Sequence, residues 1–155
     1  MEIHLPRWNE LPDIDLYMDQ VITLLNKYIE PFSSEGEITP SMINNYVKHG
    51  VIPAPVKKRY SRVHISRLLI VCVLKPVLSI QRIGEITESL LKDRSEEELL
   101  NFFSEQYERT LEHIEGIVLE GSGELRGFYA AAAAGGFKMI AESELRKEPQ
   151  KSEQN

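Results

Sequence analysis

The chain has 155 residues, 42% apolar and 27% charged, with 18 basic and 24 acidic side chains and a formal charge of −6. That composition is ordinary for a globular domain and excludes a collagen-like repeat or a wholly disordered chain. The only cysteine, Cys72, cannot close an internal disulfide, which fits a reducing compartment. No uncharged apolar run reaches the roughly 18 residues of a membrane span, and Met1-Glu2-Ile3-His4 lacks the basic start and apolar block of a secretory signal. A cytoplasmic location without membrane association is expected.

In chain order, Leu16, Val21, Ile22, Leu25, Tyr28 and Ile29 recur at helical spacing after Pro12-Asp13, and Pro31 stops the pattern. Ser33-Ser34-Glu35-Gly36 reads as a loop. Thr39-Pro40 is a helix start, a hydroxyl cap followed by proline at the first helical position. The short helix it opens, residues 40–49, has Met42, Ile43, Tyr46 and Val47 inside and Ser41, Asn44, Asn45 and Lys48 outside, and Gly50 ends it. Pro53 and Pro55 then forbid a helix, so residues 51–60 form an extended turn or small hairpin carrying Lys57-Lys58-Arg59-Tyr60.

Ser61 caps the next helix, whose inner side is Ile65, Leu68, Leu69 and Cys72, and Lys75-Pro76 closes it. Ser79 caps a further helix through Ile80, Ile83, Ile86, Leu90 and Leu91. Ser95-Glu96-Glu97-Glu98 is a capping box opening a long helix from Leu99 to Val118. Gly121-Ser122-Gly123 breaks that helix. A last one covers about 124–146 with the run Ala130-Ala131-Ala132-Ala133-Ala134-Gly135-Gly136, and a polar tail follows from Glu148.

Charge is unevenly placed. Residues 41–82, 42 positions, contain no Asp or Glu but hold Lys48, Lys57, Lys58, Arg59, Arg62, Arg67, Lys75 and Arg82, a charge of +8. The other 113 residues carry 10 basic and all 24 acidic groups, a charge of −14. Local rather than total charge decides whether a surface holds phosphates. These cations lie on a short capped helix, a proline-bounded turn and the next helix, the layout of a winged helix-turn-helix.

The segment Met42-Ile43-Asn44-Asn45-Tyr46-Val47-Lys48-His49-Gly50-Val51-Ile52-Pro53 resembles the recognition helix and exit of MerR-type regulators. Arg59-Tyr60-Ser61 with Ile65 and Leu68 resembles that family's wing tip and following helix, and Leu78-Ser79-Ile80-Gln81-Arg82-Ile83 the segment after it. Together these cover residues 39–86, under a third of the chain. The whole chain, including Leu11-Pro12-Asp13-Ile14-Asp15-Leu16-Tyr17-Met18-Asp19-Gln20, is also similar to an uncharacterised domain-of-unknown-function family from Gram-positive bacteria regarded as MerR-like. Departures stand beside the likeness. The MerR pattern has arginine where Asn44 stands, and the metal-sensing members use cysteines this chain lacks.

The resemblance implies a mainly all-α fold: a winged helix-turn-helix head with a small wing over residues 1–93, a C-terminal helical dimerisation or effector arm over 94–147, and a disordered tail over 148–155. It implies a sequence-specific regulator that binds a pseudo-palindromic operator in double-stranded DNA as a homodimer. The expected DNA-contacting residues are Thr39, Ser41, Asn44, Asn45, Tyr46, Lys48, Lys57, Lys58, Arg59, Tyr60 and Arg62. Asparagine suits adenine, whose N6 and N7 offer a donor and an acceptor together, and the basic turn suits flanking phosphates. The alternative is an adaptor whose helix-turn-helix fold no longer binds DNA and holds a protein partner instead. An unknown small-molecule effector, against Phe128, Tyr129 and Phe137, is a further option.

Catalysis finds no motif. His4, His49, His64 and His113 have no metal-site spacing, and no glycine-rich phosphate loop follows a strand. No enzyme, cofactor or metal site is expected.

Overall fold

A computed structural model describes residues 4–30, 36–115 and 122–146. Among them the chain is mainly helical. A short 3-10 turn at Trp8–Glu10 precedes α1 (Met18–Ile29), α2 (Pro40–Lys48), α3 (Arg62–Leu74), α4 (Ile80–Leu90), α5 (Glu96–Glu115) and α6 (Gly123–Arg146). The chain divides into two compact units, Met1–Glu112 and His113–Asn155. The expected stop at Pro31, the loop through Ser33, Ser34 and Glu35, the end of the long helix at Val118, the break at Gly121 and the tail from Glu148 lie outside the described residues.

The first unit is built around α3. Its sequence suggested a single inner stripe, but His64, Ile65, Ser66, Leu68, Leu69, Ile70, Val71 and Cys72 are all buried. The reason is enclosure from several sides. α1 packs on α3 through the stripe Val21, Leu25 and Ile29, and α4 packs on it with Ile83. Leu99 and Leu100 at the start of α5 join the same core. Each large aliphatic side chain removed from water here contributes about 1.5–3 kcal/mol before entropy is charged against it. Cys72 belongs to this core, and burial pushes its thiol up to about 12, so it is an inert packing residue.

Caps fix the helix starts. Thr39 Oγ1 accepts from the Met42 N–H at 3.3 Å, with Pro40 in the first turn. Ser79 Oγ accepts from Arg82 N–H at 3.2 Å. Ser95 and Glu98 make the reciprocal pair, Glu98 N–H to Ser95 Oγ at 3.1 Å and Ser95 N–H to Glu98 Oε2 at 2.8 Å. α1 begins at Met18, two residues later than its apolar pattern. Leu16 is drawn instead into an antiparallel bridge, exchanging both backbone hydrogen bonds with Tyr60 at 2.9 and 2.8 Å. α2 is closed by Gly50, two positions past its last residue, whose φ of +71° is the left-handed conformation that glycine supplies without strain.

No β-sheet forms among the described residues. The expected hairpin is one tight turn in which Val56 and Arg59 exchange hydrogen bonds at 3.1 and 3.0 Å. Its two central residues, Lys57 and Lys58, have φ of +51° and +64°. Those values match a primed hairpin turn, which ordinarily takes Asn-Gly. The chain between α2 and this turn lies close against α4. A Cβ added at Gly84 would stand 3.3 Å from Val51 Cγ2, so glycine sets the approach.

The N-terminal segment is a strap across α5. Leu5 and Leu11 are buried. Glu108 accepts from Leu5 N–H at 2.7 Å and from both terminal nitrogens of Arg7 at 3.0 and 2.7 Å. Trp8 N–H donates to Asn101 Oδ1 at 2.8 Å, and Ser104 Oγ donates to Pro6 O at 3.1 Å. Burial works against the Glu108 charge, but the Arg7 guanidinium and the Leu5 amide outweigh it and hold the carboxyl below the usual glutamate value. Taken by itself, α6 buries no residue. Leu125, Phe128, Tyr129, Phe137, Met139 and Ile140 are all exposed.

Candidate functional site

The acid-free segment spans α2, the turn, α3 and the start of α4, so these elements decide where its cations lie. On α2, Ile43 and Tyr46 point into the core, while Ser41, Asn44, Asn45 and Lys48 are exposed. This is the division that 3–4 spacing dictates. Thr39 is exposed, with its hydroxyl engaged as the cap. In the turn, Lys57, Lys58 and Arg59 are exposed. Among the described residues none of Lys48, Lys57, Lys58 and Arg59 pairs with a carboxylate, and they form the open part of the basic segment.

The other cations of that segment are engaged. Arg67 donates from Nε and Nη2 to Glu96 Oε1 and from Nη1 to Glu88 Oε1, joining α3 to α4 and α5. Burial opposes its charge, the two glutamates outweigh that, and the pKa lies above the ordinary arginine value. Arg82 pairs with Glu85 on the same helix at 3.1 Å. Arg62, expected at the DNA, is engaged within the fold: it donates to the carbonyls of Leu11 at 3.2 Å and Pro12 at 3.4 Å and rests 5.6 Å over the Trp8 ring. It fastens the strap to α3.

Tyr46 and Tyr60 are also placed away from the surface, at 4% and 3% exposure. Tyr46 contributes its backbone carbonyl, which accepts from Val51 and Ile52 N–H and turns the chain out of α2. The Tyr60 ring packs edge-on to His64 at 5.5 Å, and burial raises its hydroxyl pKa. Both rings therefore belong to the core beneath the basic surface.

Two residues that the sequence did not single out build the site's frame. His64 is buried. Its Nδ1 accepts from Ser61 N–H at 2.9 Å, so the proton sits on Nε2, which donates to Ala54 O at 3.1 Å. One imidazole thus ties together the two ends of the segment that carries the turn. Tyr17, beside the Leu16–Tyr60 bridge, is 49% exposed, and the Arg59 guanidinium lies 5.3 Å from its ring centre. The signal for Tyr17 in the sequence was weak, an aromatic just ahead of a helix, because only the bridge brings it to Arg59.

The site comprises the exposed side of α2, with polar amides and Lys48, and the turn, with three open cations beside the exposed Tyr17 ring. Chemically it suits an extended anion with hydrogen-bonding edges. Among the described residues no three His, Cys, Asp or Glu side chains gather as metal ligands, and no helix is long and apolar enough to cross a membrane. No curated protein and no solved structure matches the chain. The model of one family, Domain of unknown function (DUF1836), matches residues 6–110, from the strap through most of α5, and the chain belongs to that family.

Proposed function

We propose that the first unit is a MerR-like helix-turn-helix that binds double-stranded DNA, with α2 as the recognition helix and the Val56–Arg59 turn as a minimal wing. The observation that carries this reading is the group Lys48, Lys57, Lys58 and Arg59, exposed and without a carboxylate partner among the described residues. Lys48 shares the exposed side of α2 with Asn44 and Asn45, and the other three follow on the turn. In this reading the asparagines address base edges in the major groove, and the turn holds backbone phosphates. Ser41 and the Thr39–Pro40 helix start lie where α2 meets the backbone. The protein acts as a cytoplasmic, non-catalytic regulator. Two copies join through the C-terminal arm and read the halves of a pseudo-palindrome.

The test is binding of the full chain to duplex DNA across a salt series. Four phosphate contacts per copy, eight for the two copies, predict a slope of log K against log salt of about −7. Absence of binding at low salt, or a flat salt response, overturns the reading. An Asn44→Ala or Asn45→Ala change should alter sequence preference, whereas charge removal in the turn should weaken all sequences alike.

The exposed apolar side chains of α6 favour a second reading, an adaptor that binds protein through its arm. A stoichiometric protein partner that survives nuclease treatment, together with absent DNA binding, would establish the adaptor instead.

A further inference from the structure

We infer that Tyr17 is a positioning residue for Arg59, holding its guanidinium ready for a phosphate; this rests on the DNA-binding reading above. The Leu16–Tyr60 bridge exchanges two backbone hydrogen bonds, at 2.9 and 2.8 Å. One step out along an antiparallel pair, Tyr17 falls opposite Arg59. The turn fixes Arg59 from its other side, through its paired hydrogen bonds with Val56 at 3.1 and 3.0 Å. The Arg59 backbone is thus held twice, and its guanidinium lies over the Tyr17 ring, 5.3 Å from its centre.

An exposed arginine normally samples many rotamers, and ordering it on a ligand carries an entropy cost. A ring beneath the guanidinium restricts that sampling before the ligand arrives. The contact uses the face of the guanidinium, and the N–H edge that recognises phosphate stays open. The contact also gives a use to a ring left 49% exposed. Lys57 and Lys58 have no such support and act as mobile point charges. The geometry therefore separates one pre-set contact from two adaptable ones within three consecutive residues.

The experiment is a double-mutant cycle on the full chain, read by fluorescence anisotropy with a random-sequence duplex at low salt. Tyr17→Ala should weaken binding about threefold, and Tyr17→Phe, which keeps the ring, should restore it. In an Arg59→Ala background, Tyr17→Ala should have no further effect on binding, and no variant should lose more than about 4 °C of thermal midpoint, the worth of the ring–guanidinium contact itself. An undiminished loss in the Arg59→Ala background overturns the inference, since Tyr17 would then act without Arg59. A Tyr17→Phe variant as weak as Tyr17→Ala also overturns it, in favour of direct contact by the hydroxyl. Normal binding by Tyr17→Ala overturns this inference alone, whereas failure of the unsubstituted chain to bind overturns the DNA reading and this inference with it.

Discussion

Replacing Lys57 by Asn and Lys58 by Gly should make the head more stable and at the same time a weaker DNA binder. Both lysines adopt left-handed backbone conformations, φ +51° and +64°, which cost a residue with a Cβ about 1–2 kcal/mol. Glycine at 58 removes that strain but adds about 0.5–1 kcal/mol of unfolded-state entropy. Asparagine tolerates the conformation better than lysine and adds a few tenths. The Val56–Arg59 hydrogen bonds do not involve either side chain and should persist. The net expectation is a gain of about 1 kcal/mol, which for a domain of this size raises the melting midpoint by about 4 °C.

Losing two phosphate-reaching cations from each of two copies should flatten the slope of log K against log salt by about 3.6. Urea and thermal unfolding without DNA measure the first effect, and anisotropy across a salt series measures the second. The control is Lys57→Ala with Lys58→Ala, which removes the charges but keeps two side chains at positive φ. It should lose the same slope without gaining stability. A destabilised Asn-Gly variant would refute the strain argument, and an unchanged slope would refute the placement of these lysines at phosphates.

Further outcomes follow from the packing. Glu108 is held below the usual glutamate value, so its contribution is present above the unfolded pKa and is lost as pH falls through the lower folded one. Glu108→Gln should destabilise the chain at neutral pH by about 1–2 kcal/mol and remove part of the acid-limb slope, measured by urea titration from about pH 3 to about pH 7, across the carboxylate range. Arg67→Ala strands Glu96, whose Oε2 already has no partner among the described residues. It should cost about 2–3 kcal/mol yet leave the DNA salt slope unchanged, which separates structural from ligand-facing arginines. Ser66 is fully buried with an unpartnered hydroxyl among the described residues. Ser66→Ala should therefore be neutral or stabilising by up to about 1 kcal/mol, and a loss above that in calorimetry would point to an internal partner.

What the sequence disclosed was local. Thr39-Pro40, Ser79 and Ser95–Glu98 announced their helices because capping chemistry is written within four residues. The inward and outward sides of α2 followed from its period. What it concealed was pairing at a distance. The +8 stretch looked uniformly available, yet Arg67 meets Glu96 29 positions away and Arg62 turns to carbonyls 50 and 51 positions away. Spacing gives no hint of such partners. Tyr46 and Tyr60 illustrate a related difficulty, since an amphipathic ring suits a ligand surface and a core boundary equally, and only the packed neighbours decide. The strap was invisible for another reason: Leu5 to Leu11 is too short to show any periodicity.

The Glu108 clasp brings the two ends of the family domain side by side, since Leu5 and Glu108 share a hydrogen bond across 103 positions. A domain whose termini meet can be cut open elsewhere and rejoined there. Linking residue 110 to residue 4 and opening the chain within the turn at Lys57 should give a circular permutant that still folds. The same closure means that a ribosome must deliver nearly all of the domain before its first residues find their place. Within the family domain the strap is made early and is among the last parts to dock.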